Sequence, residues 1–248
     1  MPLVIFNLTV AVVVYFVQAY QILDHDFSKQ LYPINLSVWI DAILGLYSSP
    51  INYPLNFLRD LYILSLLAPV FGYILRQYTW LGLLVCFCLF WFNFDGSLIL
   101  RNTMPIVFYL GGMVAVKNWD LRKLDNYAVP LFGVFLVLCI GIVFFTIENR
   151  NYLRIISPFL IWPAASLLVN SKPGMWLASL AKYSFLTFLA HGPLLLIAYF
   201  LYMKFFTVVP YWIFWLAAPL TIAIVVVQSY KLLKKFAPKT TNFLLGGR

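Results

Sequence analysis

The sequence predicts an all-α protein, a polytopic bundle of transmembrane helices. Of its 248 residues, 63% are hydrophobic and only 10% are charged, and the mean hydropathy is +0.90. Soluble domains carry about 25% charged residues, so this much apolar surface has no place in a single water-soluble core. Long apolar windows, separated by charged or turn-forming residues, point the same way. Lipid is therefore the predicted solvent of the chain.

Candidate membrane spans can be identified as apolar windows, taken in order along the chain. A hydrocarbon core about 30 Å thick needs roughly 20 apolar residues per helix. Eight windows result, and the first has no basic segment before it, so we interpret it as a first helix and not as a cleavable signal. The windows cover residues 3–22, 57–75, 80–94, 104–116, 127–146, 152–169, 184–201 and 211–232.

The distribution of Lys and Arg predicts the orientation, because positively charged loops are retained in the cytoplasm. With the amino terminus inside, eleven of the seventeen basic residues fall on the cytoplasmic side. We therefore expect both termini in the cytoplasm and the chain in the inner membrane. The net charge of +9 is then mainly a topology signal, with attraction to anionic membrane lipid as a second effect, and not a nucleic-acid footprint.

The longest hydrophilic connection, residues 23–53, contains a segment with helical spacing. Its apolar positions run from Leu36 to Tyr47, and Asn35 is placed to cap its start. We expect this segment to lie flat in the outer membrane interface. Asp24, His25 and Asp26 stand just upstream and favour a solvated loop, with a metal or catalytic role as the alternative.

The three cysteines, Cys86, Cys88 and Cys139, all fall inside predicted spans. A thiol there behaves as a small apolar side chain, and no His or carboxylate accompanies Cys86 and Cys88 within their helix. The sequence therefore predicts no metal site at the cysteines.

His191 is the ionisable residue that the sequence singles out within a span. Ser184, Thr187 and His191 follow one another at i, i+3 and i+7, which places them on one helix face. Pro193 lacks an N–H and clashes with the carbonyl of Leu189, so we expect a kink whose freed acceptors need other partners. Two interpretations stay open: a functional histidine in a polar cavity, or a histidine that only joins helices.

A second polar group opens the second window. Asn56, Arg59 and Asp60 lie within one turn of each other on a helix and form a compact patch at its outer end. Opposite charges partly offset the cost of burial, which favours a structural role that fixes the bundle. The alternative is a binding site for a polar substrate that arrives from outside.

Three segments together resemble one known family. Residues 54–61 read Pro-Leu-Asn-Phe-Leu-Arg-Asp-Leu and are followed by Leu-Leu-Ala-Pro at 66–69. Residues 108–112 read Phe-Tyr-Leu-Gly-Gly, and residues 184–193 run from Ser-Phe to His-Gly-Pro. In order and spacing they resemble motifs of the acyltransferase-3 family of bacterial integral-membrane acyltransferases, in which a tryptophan stands in place of Asn56.

The resemblance implies a single acyltransferase-3-like domain over residues 1–248 that moves an acyl group, usually acetyl from acetyl-CoA, to a sugar hydroxyl of an envelope polysaccharide. It implies a catalytic role for His191. It also implies substrate contacts for a second set of residues, namely Asn56, Arg59, Asp60, Ser184 and Thr187. The basic loop with Lys117, Arg122 and Lys123 suits the phosphates of acyl-CoA, although cytoplasmic retention explains the same charges.

The amino-terminal region departs from the family pattern. The family has a catalytic histidine in its first helix and an Arg-x-x-Arg pair before its third, whereas no histidine precedes His25 and no basic residue precedes Lys29 here. The resemblance therefore implies that about two helices are missing, so the chain is amino-terminally incomplete and is expected to be inactive if that loss is real. Two other classes stay open: a non-enzymatic transporter or flippase of a glycolipid, and an inert scaffold subunit.

Overall fold

The computed structural model describes residues 2–22, 27–92, 98–148 and 151–244, and this part of the chain contains helices and no strand. The all-helical prediction is confirmed. The helices are α1 (Pro2–Ala19), α2 (Leu36–Leu44), α3 (Asn56–Leu66), α4 (Ala68–Gln77), α5 (Thr79–Trp91), α6 (Thr103–Val116), α7 (Ala128–Phe144), α8 (Asn151–Ile161), α9 (Lys172–Leu180), α10 (Ser184–Phe205), α11 (Tyr211–Phe236) and α12 (Pro238–Leu244). Short 3₁₀ segments cover Tyr53–Leu55, Leu121–Tyr127, Trp162–Leu168 and Ala181–Tyr183.

The chain forms two compact units. The first joins Met1–Arg59 to Leu180–Arg248, and the second is Asp60–Ser179. The prediction of a single domain over residues 1–248 stays a prediction.

The first unit has two apolar cores. One is built on α10 and α11 and contains Leu55, Leu189 and Val226, all with 2% exposure or less. The other joins α1 to the segment after it and includes Ala11 and Leu31, both fully buried. Since α10 and α11 are long and consecutive, they pack as neighbours and give the unit its frame.

The helix predicted after Asn35 is confirmed as α2. The Asn35 side chain accepts a hydrogen bond from the backbone N–H of Ser37 at 3.0 Å, which satisfies one of the unpaired donors at the helix start. Gly45 ends the helix with φ of +66°, and a Cβ there would lie 2.9 Å from Pro50 Cδ, so both conformation and space require glycine.

The flat interfacial position predicted for α2 stays a prediction, and the structure adds a contact with α1. Helix α2 packs against α1, where Asn7 Nδ2 donates to the carbonyl of Ile43 at 2.7 Å and the rings of Tyr15 and Trp39 lie 5.7 Å apart. Val38, Trp39 and Ala42 pack against α1, whereas Leu36, Ile40 and Leu44 on the same helix are exposed. The Asp24, His25 and Asp26 prediction lies outside the described residues.

The second unit is held by a core at the crossing of α4, α5 and α6. Tyr109 is 1% exposed and its hydroxyl donates to the carbonyl of Thr79 at 2.9 Å. Gly82 makes this close approach possible, because a Cβ on Gly82 would lie 2.2 Å from the Tyr109 hydroxyl oxygen. Cys86 is buried in the same core as a small apolar side chain.

The count of eight spans is not supported. Four described helical stretches are long and apolar enough to cross a membrane: Pro2–Ala19, Leu121–Phe144, Lys172–Phe205 and Tyr211–Phe236. A fifth is added if α3 and α4, bent by 60° at the break, form one span. The predicted orientation of the termini stays a prediction.

Helix length and proline explain the lower count. Helices α5 and α6 have 13 and 14 residues and therefore rise about 20 Å, short of a hydrocarbon core about 30 Å thick. The window over residues 152–169 is divided into α8 and a 3₁₀ segment that has Pro163 near its start. Apolar composition alone did not reveal these interruptions. The last two residues of the window over 80–94 lie outside the described ranges.

Candidate functional site

The first unit contains a polar site at the point where Pro193 removes a backbone hydrogen bond from α10. Pro193 lies inside the helix and has no N–H to donate to the carbonyl of Leu189, four residues earlier. The side chain of Asn52 donates instead, with Nδ2 2.9 Å from that oxygen, and this contact joins positions 137 residues apart. The expectation that another group must meet the freed carbonyl is confirmed.

Gly192 lets the backbone of α10 approach this asparagine. A Cβ on Gly192 would lie 2.8 Å from Pro54 Cγ and 2.9 Å from Asn52 Oδ1. Asn52 itself is 2% exposed, and its Oδ1 has no hydrogen-bond partner among the described residues. We call Asn52, Leu189, His191, Gly192 and Pro193 the proline site.

His191 has a defined proton position in the proline site. Its Nδ1 lies 2.8 Å from the carbonyl oxygen of Phe188 and 3.1 Å from that of Thr187. A carbonyl only accepts, so Nδ1 is the nitrogen that donates, and in the neutral form of the ring Nε2 holds the free lone pair. No described residue hydrogen-bonds to Nε2. A partly buried imidazole in this tautomer can accept a proton from a hydroxyl group.

Aromatic rings border the histidine. The Phe188 ring lies 6.1 Å from the His191 ring and 6.0 Å from the ring of Phe57, at the start of α3. The segment around residues 52–57 and the middle of α10 are therefore in direct contact within the first unit.

Ser184 and Thr187 lie on the helix face of His191, as the sequence predicts, because α10 is continuous from Ser184 to Phe205. Each hydroxyl hydrogen-bonds within its own chain segment: Ser184 to the carbonyl of Ala181 at 2.7 Å, and Thr187 to that of Tyr183 at 3.0 Å. These donors are thus engaged with backbone, and the hydroxyl oxygens keep acceptor capacity.

The Asn56, Arg59 and Asp60 patch is buried. Their exposed fractions are 2%, 7% and 0%. Asn56 Nδ2 donates to Ser49 Oγ at 2.9 Å, which joins the start of α3 to the loop before it. This burial favours the structural interpretation over an open binding patch.

Asp60 makes the clearest structural contact of the three, inside the second unit. Its two carboxylate oxygens accept the backbone N–H groups of Leu100 and Arg101 at 3.1 and 3.0 Å. A buried carboxylate that receives two N–H groups fixes the turn before α6.

The predicted phosphate-binding loop lies at the surface of the second unit. Lys117, Arg122 and Lys123 are all exposed. Arg122 lines a groove of about 460 Å³ that also contains Asp120 and Asp125, whereas Lys117 and Lys123 are not among its lining residues. The three charges are therefore not gathered into one pocket.

Sequence reasoning missed a polar network around α2. Lys29, only 8% exposed, pairs with Asp41 and donates to Ser48 Oγ at 2.7 Å. Burial raises the pKa of Asp41, but hydrogen bonds from Lys29, Tyr47 and Ser48 outweigh it and lower the pKa from 3.8 to about 2. No local pattern links residues 29 and 41.

Sequence reasoning also missed Asn52, because its hydrogen-bond partner lies 137 residues away in the chain. The sequence signal that exists is the unpaired carbonyl four residues before Pro193, which requires a donor somewhere. Many Asn, Gln, Ser and Thr side chains could supply that donor, and only the tertiary fold selects among them.

Comparison with known proteins finds a distant similarity. No protein-family model matches the chain, and no solved structure matches it. The chain is similar to the succinoglycan biosynthesis protein ExoH of Rhizobium meliloti (strain 1021), at 26% identity over 260 residues. The match covers 100% of this chain and 70% of that protein. The chain is thus distantly similar to a protein whose name places it in succinoglycan biosynthesis, and membership of the acyltransferase-3 family stays a prediction.

Proposed function

We propose that this protein is an inner-membrane acyltransferase that modifies a polysaccharide of the cell envelope or its lipid-linked precursor. The observation that carries the proposal is the similarity, over the whole chain, to a protein of succinoglycan biosynthesis. Four helices with the length and composition of membrane spans support the membrane location. The acyl group, usually acetyl in the family that the sequence resembles, is proposed to come from acyl-CoA.

His191 is proposed as the general base. Its Nδ1 proton is held by the Phe188 carbonyl, so the Nε2 lone pair is oriented for an incoming hydroxyl. Nε2 takes the hydroxyl proton while the oxygen attacks the thioester carbonyl carbon. The carbon–sulfur bond then breaks, the acyl ester remains on the acceptor, and the CoA sulfur receives the proton from the imidazolium.

Acceptor contacts are proposed for the residues around this base. The oxygens of Ser184 and Thr187 lie on the face of His191 and retain acceptor capacity, so they suit sugar hydroxyls. Asn56, Arg59 and Asp60 are proposed to hold the neighbouring backbone in place, because they are buried and Asp60 binds two N–H groups.

For the donor, we propose that the exposed charges of Lys117, Arg122 and Lys123 attract the phosphates of acyl-CoA. Since Asp120 and Asp125 share the groove of Arg122, the attraction is weak and depends on salt. Raising the salt concentration should therefore raise the KM for acyl-CoA more than it changes kcat.

The test is transfer of a labelled acyl group in membranes that contain this protein. Labelled acetyl-CoA and succinyl-CoA are supplied separately, with and without an envelope polysaccharide or its oligosaccharide repeat. The proposal predicts label in the carbohydrate, released by mild base as expected for an ester, and only when both donor and acceptor are present. Equal labelling in membranes without the protein would contradict it.

A broken helix favours the second candidate, a glycolipid transporter. Transporters often bind substrate at discontinuous helices, and α3 and α4 are bent by 60° at their break. Movement of a lipid-linked sugar across vesicles without acyl-CoA would support this candidate. Acceptor-dependent release of CoA would support the enzyme.

A further inference from the structure

An apolar groove runs along the first unit and shares Pro193 with the proline site, whereas Asn52 and His191 are not among its lining residues. It has a volume of about 440 Å³ and lies between α1, α10 and α11, with α12 at one end. Its walls are almost entirely aliphatic and aromatic, for example Val13, Ala190 and Val226. Lining residues on α10 extend from Leu186 to Phe200, which corresponds to about 21 Å along the helix.

The dimensions of the groove suit a hydrocarbon chain. One leaflet of a bilayer is about 15 Å deep, so a lipid tail that enters from the membrane can lie along the groove over its full depth. Val13 and Ile197 line the groove and are still more than half exposed, at 54% and 52%, so the groove is open on one side.

Lysines stand at one end of this groove. Lys234 directly follows Leu233, a groove-lining residue near the end of α11. Lys182 lies four residues before Leu186 and eight before Ala190, both groove-lining residues of α10. A lysine therefore stands near the end of the groove-lining residues of both α10 and α11.

Two tyrosines in edge-to-face contact lie beside these lysines. The rings of Tyr183 and Tyr230 lie 5.1 Å apart, Lys182 Nζ lies 5.1 Å from the Tyr183 ring centre, and Lys234 Nζ lies 5.8 Å from that of Tyr230. Tyr230 also packs on the core formed by Leu186 and Val226. The two ammonium groups therefore lie over rings that pack near Leu186 and Val226, which also line the groove.

In the described part of the chain, neither Lys182 nor Lys234 pairs with a carboxylate. The sequence of α1 contains no charged residue, and no Asp or Glu occurs after Glu148. Lys231, Lys235 and Lys239 add further charge of the same sign near the end of α11 and in α12. The complementary occupant is an anion joined to an apolar chain.

We propose that the groove between α1, α10 and α11 binds an anionic phospholipid, with its phosphate between Lys182 and Lys234 and an acyl chain along the apolar walls. This site is distinct from the proposed transferase chemistry and does not depend on it. Each lysine near a membrane surface contributes an attraction worth about a fivefold change in affinity for an anionic lipid.

The experiment uses the full chain in detergent micelles with phosphatidylglycerol and phosphatidylcholine of identical acyl chains, each spin-labelled on the chain. The wild-type protein is expected to immobilise phosphatidylglycerol in preference to phosphatidylcholine. Replacing both lysines (Lys182→Gln with Lys234→Gln) should lower phosphatidylglycerol affinity roughly thirtyfold and leave phosphatidylcholine binding unchanged.

Lys204→Gln is the matched control, because Lys204 also lies over an aromatic ring, 5.5 Å from that of Phe205, but at the opposite end of α10. It should retain the preference. Ala190→Phe, which fills the groove, should reduce immobilisation of both lipids. Equal affinity for the two lipids in wild type, or equal loss in the Lys204 variant, would overturn the proposal. A disulfide-linked dimer of a Val13→Cys variant that forms in preference to lipid binding would also overturn it, since a second copy would then cover the groove.

Discussion

Pro193 removes one backbone donor from α10, and Asn52 replaces it. The local part of this arrangement was predictable: a proline inside an apolar helix leaves the carbonyl four residues earlier without a partner. The shared face of Ser184, Thr187 and His191 was predictable as well, since helical periodicity alone determines it. The identity of Asn52 was not, because the contact spans 137 residues.

A double-mutant cycle tests this replacement. Asn52→Ala should lower the free energy of unfolding by about 1–3 kcal/mol, because a buried carbonyl loses its donor. In a Pro193→Ala background, the restored N–H of residue 193 can satisfy Leu189, so the same Asn52 substitution should cost at least about 1 kcal/mol less. Thermal or denaturant unfolding in detergent measures both. Additive effects of the two substitutions would show that Asn52 acts elsewhere.

Gly192 provides a second residue-scale prediction. Gly192→Ala places a Cβ within 3 Å of Pro54 and Asn52 and should destabilise the protein by about 1–3 kcal/mol through overpacking. Gly141 is the control, since it lies in α7 and a Cβ there meets nothing within 4 Å. Gly141→Ala should be neutral or stabilising by up to about 1 kcal/mol, as alanine favours helix. Equal unfolding temperatures for the two variants would refute the close approach.

An ion pair between Lys29 and Asp41 stabilises the segment between α1 and α3. The stability of this segment should therefore depend on pH. The folded pKa of Asp41, about 2, is below its ordinary value of 3.8. The stabilisation is therefore fully present above about pH 4 and is lost as the pH falls through about 2. Both side chains are largely buried, with 6% and 14% exposure, so the loss is about 2 kcal/mol. Proteolysis of the 27–48 segment against pH measures it, and a Lys29→Met variant should show a smaller dependence on pH.

Helix lengths were the least predictable feature at the scale of elements. Hydropathy windows locate apolar sequence, but they do not locate the break at Leu67 between α3 and α4 or the change to 3₁₀ geometry at Trp162. Prolines at 69 and 163 lie next to these breaks and give partial signals. Proline is tolerated in the first turn of a helix, so such a signal marks a helix start as readily as a kink.

Asp60 gives the element-scale prediction. Its carboxylate holds the turn before α6, so Asp60→Asn, which offers one acceptor oxygen in place of two, should destabilise the protein by about 1–3 kcal/mol. Asp125→Asn is the control, because Asp125 lies at a surface groove. Hydrogen exchange of the Leu100 and Arg101 amides should accelerate only in the Asp60 variant. Unchanged exchange with loss of carbohydrate binding would instead support a substrate role for Asp60.

Composition predicted the class of the whole molecule, since a chain with 63% hydrophobic residues needs lipid around it. It did not predict the division into two compact units, because that depends on contacts between residues 1–59 and 180–248, which are far apart in sequence. The uneven distribution of charge, with no acidic residue after Glu148, is a whole-chain property. It supports the proposed lipid site.

The central claim is that a membrane protein of this fold uses His191 to transfer an acyl group to a polysaccharide hydroxyl. The most direct measurement is acceptor-dependent release of CoA from acyl-CoA by membranes containing the wild-type protein or His191→Gln. We expect release above that of membranes without the protein, and a loss of about 10²–10⁴-fold in kcat for His191→Gln with the KM for acyl-CoA unchanged. Full activity of the His191→Gln protein, or wild-type release that does not require the acceptor, would contradict the claim.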